Sequence, residues 1–429
     1  MPDDSMPSRA SQTDGPFAPL RFREFRLFWI GHFISRIGDS MQQTAVSWLL
    51  YDLTRSPLQL GLNGAFRALP LVTFGLFGGT IADRLDRKRI LLCTQTTLML
   101  LALLLGFLAQ TGRVQVWHIY AFTFVAAIIQ SVDAPTRQAL IPSLVPRPIL
   151  PNAIALNSLL WKGTILLGPS LAGIAISTVG TDGAFYANGL SFLAVVSALK
   201  LMHISSSGGV RTGGFLKDLR SGLSYVRSQR IILAIMVMEA FSSLFGLDSA
   251  MLTIFARDIL NAGATGFGFL QSSRGLGAVL GSGLLVAIGN KRAQGKILLY
   301  AAVVYGLSFA LFGLSQQLVL SLLLIFLAGA ADTIWGAVRS TILQLKTPDQ
   351  LQGRVMGVFG LCSRGLSPLG QVETGLLVPL VGAREATFLG GSIVLCVSIL
   401  TAWRVPDVHR FRGHKPDSAD VQEVRIESV

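Results

Sequence analysis

Residues 90–109 of this chain read ILLCTQTTLMLLALLLGFLA and contain no charged side chain. An α-helix rises about 1.5 Å per residue, so roughly 20 such residues match the ~30 Å hydrocarbon layer of a bilayer. A second apolar run, VLSLLLIFLAGAA at residues 319–331, lies far along the chain. Runs of this kind predict helices that span a membrane, and their recurrence predicts a chain that spans it many times.

The composition agrees with this interpretation. The 429 residues are 51% hydrophobic and only 14% charged, whereas soluble domains carry about 25% charged residues. A soluble chain of this length would divide into two or three domains, and there are too few polar side chains here to cover their surfaces. The composition therefore excludes an ordinary soluble protein and predicts an all-α membrane protein.

The apolar runs predict twelve transmembrane helices in two pseudo-symmetric six-helix halves. The first six lie near residues 27–51, 58–82, 89–111, 116–136, 153–178 and 183–202, and the second six near 231–256, 265–289, 296–315, 318–338, 355–381 and 384–404. We divide the chain into a disordered tail (1–20), an N-terminal half (21–202), a linker (203–230), a C-terminal half (231–405) and a second tail (406–429). Apolar residues of the linker recur at helical spacing, which predicts an amphipathic helix on the inner membrane surface.

Basic residues are distributed unevenly between the two predicted sides of the membrane. With the N-terminus in the cytoplasm, 27 of the 36 Lys and Arg residues fall in cytoplasmic segments and only four in outer loops. The positive-inside rule then predicts that both termini are cytoplasmic. The same rule accounts for the net charge of +13, so we predict no nucleic-acid partner.

The two halves resemble each other in sequence. An offset of 207 residues places Gly61 on Gly268, Arg67 on Arg274 and Arg89 on Lys296, and an offset of 202 places Arg137 on Arg339 and Pro146 on Pro348. A repeated multi-helix unit is typical of secondary transporters, in which the substrate site lies at the interface between the repeats.

Ten charged residues fall well inside the predicted spans. They are Arg36, Asp39, Arg67, Lys162, Glu239, Asp248, Arg274, Asp332, Arg364 and Glu373. Each charge at mid-bilayer costs about 2.5–3.5 kcal/mol. If all ten side chains faced lipid, the total cost would exceed the ~5–15 kcal/mol that stabilises a typical fold. These residues must either pair with one another and hold helices together, or line a water-filled cavity. Because both halves contribute acids and arginines, we favour a cavity.

From this set we select candidates for proton coupling and cavity charges: Arg36, Asp39, Arg67, Glu239, Asp248, Arg274 and Glu373. Asp39, one helical turn from Arg36, is the first candidate for a proton-carrying carboxylate, followed by Glu239 and Glu373. Asp248 lies nine residues after Glu239, so on a continuous helix the two would not share a face. An inward proton gains about 2.3 kcal/mol per 100 mV, enough to drive export of a dilute solute.

The loop between the second and third spans carries a family signature. Residues 79–88 read GTIADRLDRK and resemble the G-x-x-x-D-R-x-G-R-R/K motif of the major facilitator superfamily, with Asp86 in place of the second glycine. The resemblance implies a conformational latch on the cytoplasmic side, formed by Gly79, Asp83, Arg84, Arg87 and Lys88. In the fifth span, Gly163, Gly168, Pro169 and Gly173 resemble the glycine-proline motif of that superfamily's antiporters.

Further stretches are similar to one subgroup of the superfamily. Residues 133–139 (DAPTRQA), 152–153 (NA) and 186–188 (YAN) resemble the subgroup that contains the enterobactin exporter and the macrolide-efflux proteins of bacteria. The resemblance implies a multi-pass transporter of the bacterial cytoplasmic (inner) membrane. It would export a small amphiphilic molecule, either a siderophore or a drug-like compound, by a rocker-switch motion and in exchange for protons. It needs no bound cofactor and no obligatory protein partner, so we expect a monomer whose partners are its substrate and the lipid bilayer.

Two alternatives remain open at this point. The same fold serves nutrient importers and facilitators, and a membrane-embedded enzyme or receptor is a third possibility. Against an enzyme, the sequence has no H-E-x-x-H, G-x-S-x-G or P-loop motif. The three cysteines have no paired spacing, which argues against a disulfide framework or a metal site.

Overall fold

The computed structural model describes residue 15 and residues 17–84, 86–203, 215–288 and 293–411, and every regular element within these ranges is helical. The helices are α1 (Arg23–Thr54), α2 (Pro57–Arg84), α3 (Arg87–Gln110), α4 (Val116–Leu140), α5 (Leu150–Leu201), α6 (Phe215–Ser228), α7 (Arg230–Phe245), α8 (Ser249–Ile254), α9 (Gly263–Ile288), α10 (Gln294–Leu314), α11 (Leu318–Lys346), α12 (Asp349–Gly360), α13 (Ser367–Val381), α14 (Ala383–Arg404) and α15 (Pro406–Arg410). Two π-helical turns, Phe255–Ile259 and Leu361–Gly365, follow α8 and α12.

The helices account for the predicted membrane crossings. Seven helical segments of the described chain are long and apolar enough to cross a bilayer, and one of them, Arg147–Leu201, contains two predicted spans. The remaining four spans are α1, α2, α9 and the α12–α13 pair, and each carries at least one of the charged residues noted above. The fold is therefore the expected all-α architecture with twelve membrane-crossing segments.

Helix α5 holds two spans because Gly180 bends it. The backbone φ of Gly180 is 81°, a left-handed value that an L side chain rarely adopts and glycine adopts freely. The sequence predicts a break between residues 178 and 183, and the bend lies there. The chain turns back at this point without a loop.

Packing divides the helices into two groups that touch along two seams. In the N-terminal half α5 packs on α1 and α3, and α2 packs on α4; in the C-terminal half α11 packs on α9 and α10, and α10 packs on α14. The halves meet where α2 contacts α13 and where α5 contacts α9. Both seams rely on glycine: a Cβ added to Gly61 would lie 2.9 Å from Gly375, and one added to Gly173 would lie 2.9 Å from Gly268. The backbones therefore approach as closely as small residues permit in membrane helices.

Apolar side chains point outward from these spans. On α3, Leu100, Leu104 and Phe107 are each more than half exposed, and they recur at helical spacing on one face. In a soluble protein such an apolar surface would promote aggregation, whereas in a bilayer it contacts acyl chains.

Two segments beyond the spans pack against the C-terminal half. In α6, the hydroxyl of Tyr225 donates to the carbonyl of Lys346 at 3.1 Å, and Val226 is buried. Partial burial also raises the pKa of the Tyr225 hydroxyl above its ordinary value. Val408 of α15 is fully buried against α10, and the amide of Gly295 donates to the carbonyl of Phe411 at 3.2 Å. Residues 406–411, which we assigned to a tail, thus join the folded helices; the domain limits otherwise stay predictions.

Candidate functional site

A polar cavity of about 310 Å³ lies within the C-terminal half. Its walls are mostly hydrophilic and come from α7, α8, α9, α10, α11, α13, the connection between α7 and α8 and the π-helical turn before α13. They consist of Glu239, Ser242, Ser243, Gly246, Leu247, Asp248, Ser249, Gln271, Arg274, Tyr305, Asp332, Arg339, Ser363, Ser367 and Gln371. Three acids and two arginines of the membrane region therefore surround one cavity, as the energetic argument from the sequence required.

The seventh span is broken at this cavity. Helix α7 ends at Phe245, Gly246 is extended, and α8 begins at Ser249. Broken helices at membrane depth need partners for the freed backbone groups. Here the amide of Leu247 donates to the Tyr305 hydroxyl at 3.0 Å, and its carbonyl accepts from Arg274 Nη1 at 3.3 Å. Broken spans of this kind form the substrate and ion sites of many transporters.

The break brings Asp248 into the same cavity as Glu239, which the assumption of a continuous helix did not predict. Asp248 Oδ1 accepts from the Met251 amide at 2.7 Å and caps α8, while Oδ2 accepts from the Thr374 hydroxyl at 2.8 Å. Both carboxylate oxygens are thus occupied, and one of them joins α8 to α13. Asp248 lines the site and also holds its shape.

Two ion pairs cross the C-terminal half. Glu239 pairs with Arg339, and both side chains are about nine-tenths buried. Arg274 Nη2 lies 3.3 Å from Asp332 Oδ2, and this pair is more open, since the Asp332 side chain is 38% exposed. Both pairs line the cavity: the first joins α7 to α11 and is the more buried, whereas the second joins α9 to α11 and is more open.

The N-terminal half holds a smaller charged cluster. Arg36 Nη1 lies 3.4 Å from Asp39 Oδ2 on α1, as their spacing predicted, and the Arg36 guanidinium lies 3.9 Å from the centre of the Trp161 ring. Arg67 on α2 donates to Gln43 Oε1 at 3.1 Å. The two predicted arginines and the acid are thus gathered between α1, α2 and α5.

A second cluster of this half was not among the predicted site residues. Arg137 on α4 pairs with Asp133, and its Nη1 lies 2.7 Å from Nδ1 of the buried His32 on α1. Thr94 and Gln95 on α3 donate to Asp133 Oδ1 at 2.7 and 2.8 Å. This arrangement mirrors the Glu239–Arg339 pair, because the repeat offsets place His32 on Glu239 and Arg137 on Arg339. The repeat could have indicated this cluster, but Arg137 and Arg339 each lie one residue beyond a predicted span (116–136 and 318–338).

At the end of the molecule predicted to face outward, polar contacts join the two halves. The Tyr51 hydroxyl donates to Asp258, Arg257 pairs with Asp52, and Arg55 lies 4.0 Å from Asp258. The rings of Trp48 and Phe267 stack beside them at 5.8 Å. In the part of the chain that the structure describes, the other side-chain hydrogen bond between the halves joins Ser170 to Ser272 in the α5–α9 seam.

The predicted latch is described only in part. The side chains of Gly79, Asp83 and Arg84 lie outside the described residues, as do those of Lys162 and Arg364. Arg87 Nη1 donates to the carbonyl of Ala139 at 3.0 Å, and Lys88 Nζ donates to that of Met202 at 2.6 Å. These two residues join the start of α3 to the ends of α4 and α5 within one half. Their role as a latch stays a prediction.

The glycines of the fifth span pack against two different helices. Gly163 lies beside the Phe33 ring and Gly168 beside Ser40, both on α1, while Gly173 meets Gly268 on α9 in the other half. The Pro169 carbonyl lies 2.9 Å from a Cβ built on Gly268. The motif thus packs α5 within its own half and at the seam between the halves.

Of the seven predicted cavity charges, Glu239, Asp248 and Arg274 line the C-terminal cavity, and Arg36, Asp39 and Arg67 form the N-terminal cluster. Glu373 is half-buried on α13 but does not line the cavity. The cavity also contains Asp332, Arg339 and Tyr305, which were not selected.

Comparison with known proteins identifies relatives along nearly the whole chain. Macrolide efflux protein A of Streptococcus pyogenes is 22% identical over 385 residues, which cover 88% of this chain and 95% of the relative. The enterobactin exporter EntS of Escherichia coli O81 is 22% identical over 395 residues, covering 91% and 94%.

Solved structures share the fold. A POT family transporter in complex with a thioalcohol-conjugated peptide superposes with a TM-score of 0.72 at 11% identity, covering 90% of this chain and 96% of the other. The nucleoside transporter NupG superposes with a TM-score of 0.64 at 14% identity, covering 90% and 99%. Residues 14–424 match the family described as transmembrane secretion effector. The chain therefore belongs to this transporter family of the major facilitator superfamily.

Proposed function

We propose that the protein exports a small amphiphilic molecule across the bacterial cytoplasmic membrane by alternating access, in exchange for protons. The observation that carries the proposal is the position of the ion pairs that join the two halves. Among described residues, the ion pairs between the halves lie at the end predicted to face outward, formed by Asp52, Arg55, Arg257 and Asp258. A transporter closed at that end and polar inside is in an inward-facing state, ready to take substrate from the cytoplasm.

The direction and substrate class rest on the relatives. Proteins named for macrolide efflux and for enterobactin export match about nine-tenths of the chain. Both names describe export, so we propose that this chain exports a siderophore or a drug-like compound. The positive-inside distribution of Lys and Arg supports cytoplasmic termini, and with them this orientation.

Proton exchange is supported by acids that stand beside arginines in the two halves. Asp39 with Arg36 and Asp332 with Arg274 are pairs at 3.4 and 3.3 Å. A carboxylate that takes up a proton loses its attraction for the neighbouring guanidinium, so substrate and proton binding are coupled through the arginine. Exchange results when the substrate and the proton occupy such a pair in turn, the substrate on the way out and the proton on the way in.

Inverted membrane vesicles with an acidic interior test the proposal. A macrolide or enterobactin added outside should accumulate inside only when the chain is present and the proton gradient is intact. Its addition should also release protons from the vesicles. Uptake that persists after nigericin collapses the gradient would indicate a facilitator. Accumulation in right-side-out vesicles in place of inverted ones would indicate an importer and overturn the proposed direction.

A further inference from the structure

One pair of repeat-related arginines, Arg67 and Arg274, has different surroundings in the two halves. They stand at corresponding positions of α2 and α9, at the offset of 207 residues. Arg274 donates to the Leu247 carbonyl at the broken span and lies 3.3 Å from the carboxylate of Asp332. Its charge is therefore neutralised by a residue of the same half, and its donors satisfy a freed backbone group.

Arg67 has neither of these partners. Helix α1, which corresponds to the broken α7–α8 span, is continuous from Arg23 to Thr54 and has no freed carbonyl at this depth. The offset of 202 residues places Gln130, a neutral side chain, where the other half has Asp332. Among described side chains, the hydrogen-bond partner of the Arg67 guanidinium is Gln43, at 3.1 Å.

The acid of this cluster, Asp39, does not neutralise Arg67. Asp39 is already paired with Arg36, so the cluster of Arg36, Asp39 and Arg67 carries a net charge of +1. A lone arginine charge at mid-bilayer costs about 2.5–3.5 kcal/mol. A guanidinium has five N–H donors in a planar fork, and Gln43 accepts from one of its nitrogens.

Arg67 also lies close to the place where the two halves meet. Gly64 and Arg67 are three residues apart on α2, so they are neighbours on the surface of the helix. Gly61 and Gly64 contact Gln371 of α13, and Gln371 lines the C-terminal cavity. The free donors of Arg67 therefore lie about one turn along α2 from a wall of that cavity.

We propose that Arg67 binds an acidic group of the transported molecule, a carboxylate or a comparable anionic oxygen. This inference rests on the proposed export function, because it takes the space between the halves as the transport site. A planar carboxylate accepts two parallel hydrogen bonds from a guanidinium. It would give Arg67 the negative charge that Asp332 gives to Arg274 in the other half. Substrates that make this contact carry an acidic group at one end, while the hydroxyl and amide groups of the cavity contact their uncharged polar parts.

Matched probes that differ in one charge test this assignment. Dansylglycine carries a carboxylate, and dansylglycinamide has the same shape with a neutral amide, so their fluorescence titrations against the purified full chain in nanodiscs can be compared directly. We expect the wild type to bind the carboxylate at least about tenfold more tightly, the size of one charge-assisted pair. Arg67→Gln should reduce this preference to near unity, and Arg67→Lys should retain part of it.

Two further variants make the result specific. Arg113→Gln removes an arginine from the loop between α3 and α4 and should leave the preference unchanged. Gln130→Asp places a carboxylate at the position that the repeat assigns to Asp332, and should lower the preference by neutralising Arg67. Equal binding of both probes to the wild type, or a preference that survives both Arg67→Gln and Gln130→Asp, overturns the inference.

Failure of this inference and failure of the proposed function give different results. If vesicles export neutral amphiphiles against a gradient but show no carboxylate preference, the role of Arg67 is wrong and the export function stands. If the carboxylate preference is present but a macrolide, enterobactin and dansylglycine all fail to cross the membrane in either direction, Arg67 is an anion site and the transport proposal fails.

Discussion

Asp86 illustrates how a single residue that departs from the family pattern acquires a structural role. The superfamily motif has glycine at this position, and here the aspartate is the N-cap of α3. Its carboxylate accepts from the Lys88 amide at 2.9 Å and from the Arg89 amide at 3.5 Å. Such caps contribute about 1 kcal/mol to a helix. The substitution therefore fixes the start of α3, from which Arg87 and Lys88 reach the ends of α4 and α5.

The Glu239–Arg339 pair is expected to be needed for stability rather than for exchange. Removing one partner leaves a buried charge, which costs about 3–5 kcal/mol. Glu239→Gln and Arg339→Gln should each lower the thermal unfolding temperature of the detergent-purified protein by several degrees. The double variant should lie closer to wild type than either single variant. Additive losses in the double variant would show that the two side chains do not interact.

Asp39 is expected to carry the proton. Asp39→Asn keeps the shape of the side chain but removes its ability to bind and release a proton, so substrate-dependent proton release from inverted vesicles should fall at least about tenfold. Substrate counterflow, which needs no net proton movement, should persist. Asp407→Asn, on the exposed face of α15, is the matched control. Unchanged proton release in Asp39→Asn would assign the coupling to another acid, with Asp332 the next candidate.

At the scale of helices, the sequence patterns predicted well where the spans lie but poorly where a span is interrupted. The spans and the bend at Gly180 follow from apolar runs and a glycine. The break at Gly246 does not, because its partners Tyr305 and Arg274 come from other helices and are visible only after folding. Likewise α11 continues to Lys346, eight residues beyond the predicted span 318–338, so Arg339 lies inside a helix.

The α5–α9 seam gives a test at this scale. A Cβ added to Gly268 would lie 2.9 Å from the backbone of Gly173, whereas a Cβ added to Gly283 on the same helix would meet nothing within 4 Å. Gly268→Leu should therefore separate the halves and reduce transport by more than about tenfold while membrane insertion persists. Gly283→Leu should transport at the wild-type rate. Equal activity of the two variants would mean that the close approach has no functional importance.

For the whole molecule, the repeat predicted the symmetry of the two halves but not where they differ. Arg36 and Asp39 form the pair that their spacing indicated. The ion pairs between the halves involve Asp52, Arg257 and Asp258, ordinary loop-side charges whose partners are some 200 residues apart. No local pattern relates such residues, and the conformation in which they meet is a property of the complete fold.

Breaking these contacts is expected to shift the molecule toward an outward-facing state. Each charged contact contributes on the order of 1 kcal/mol, so Arg257→Ala should change the ratio of the two states about fivefold. Spin labels at Leu53 and Val319, both exposed at the outer ends, in a background without the native cysteines, should report longer distances. Arg113→Ala should leave the distances unchanged, and restoring the charges in reverse, as Asp52→Arg with Arg257→Asp, should shorten them again. Identical distance distributions in wild type and Arg257→Ala would rule out a closing role for these pairs.

The glycine contacts at the two seams have a consequence for how cargo arrives. Where Gly61 meets Gly375 and Gly173 meets Gly268, main chains touch and leave no crevice toward the surrounding lipid at that depth. All four glycines lie toward the ends of their helices that are predicted to face outward. A compound dissolved in the outer part of the membrane core thus finds no lateral opening at these contacts and has to enter from the cytoplasmic side. Turnover should accordingly follow the amount of compound on that side, and enrichment in the outer leaflet alone should gain nothing.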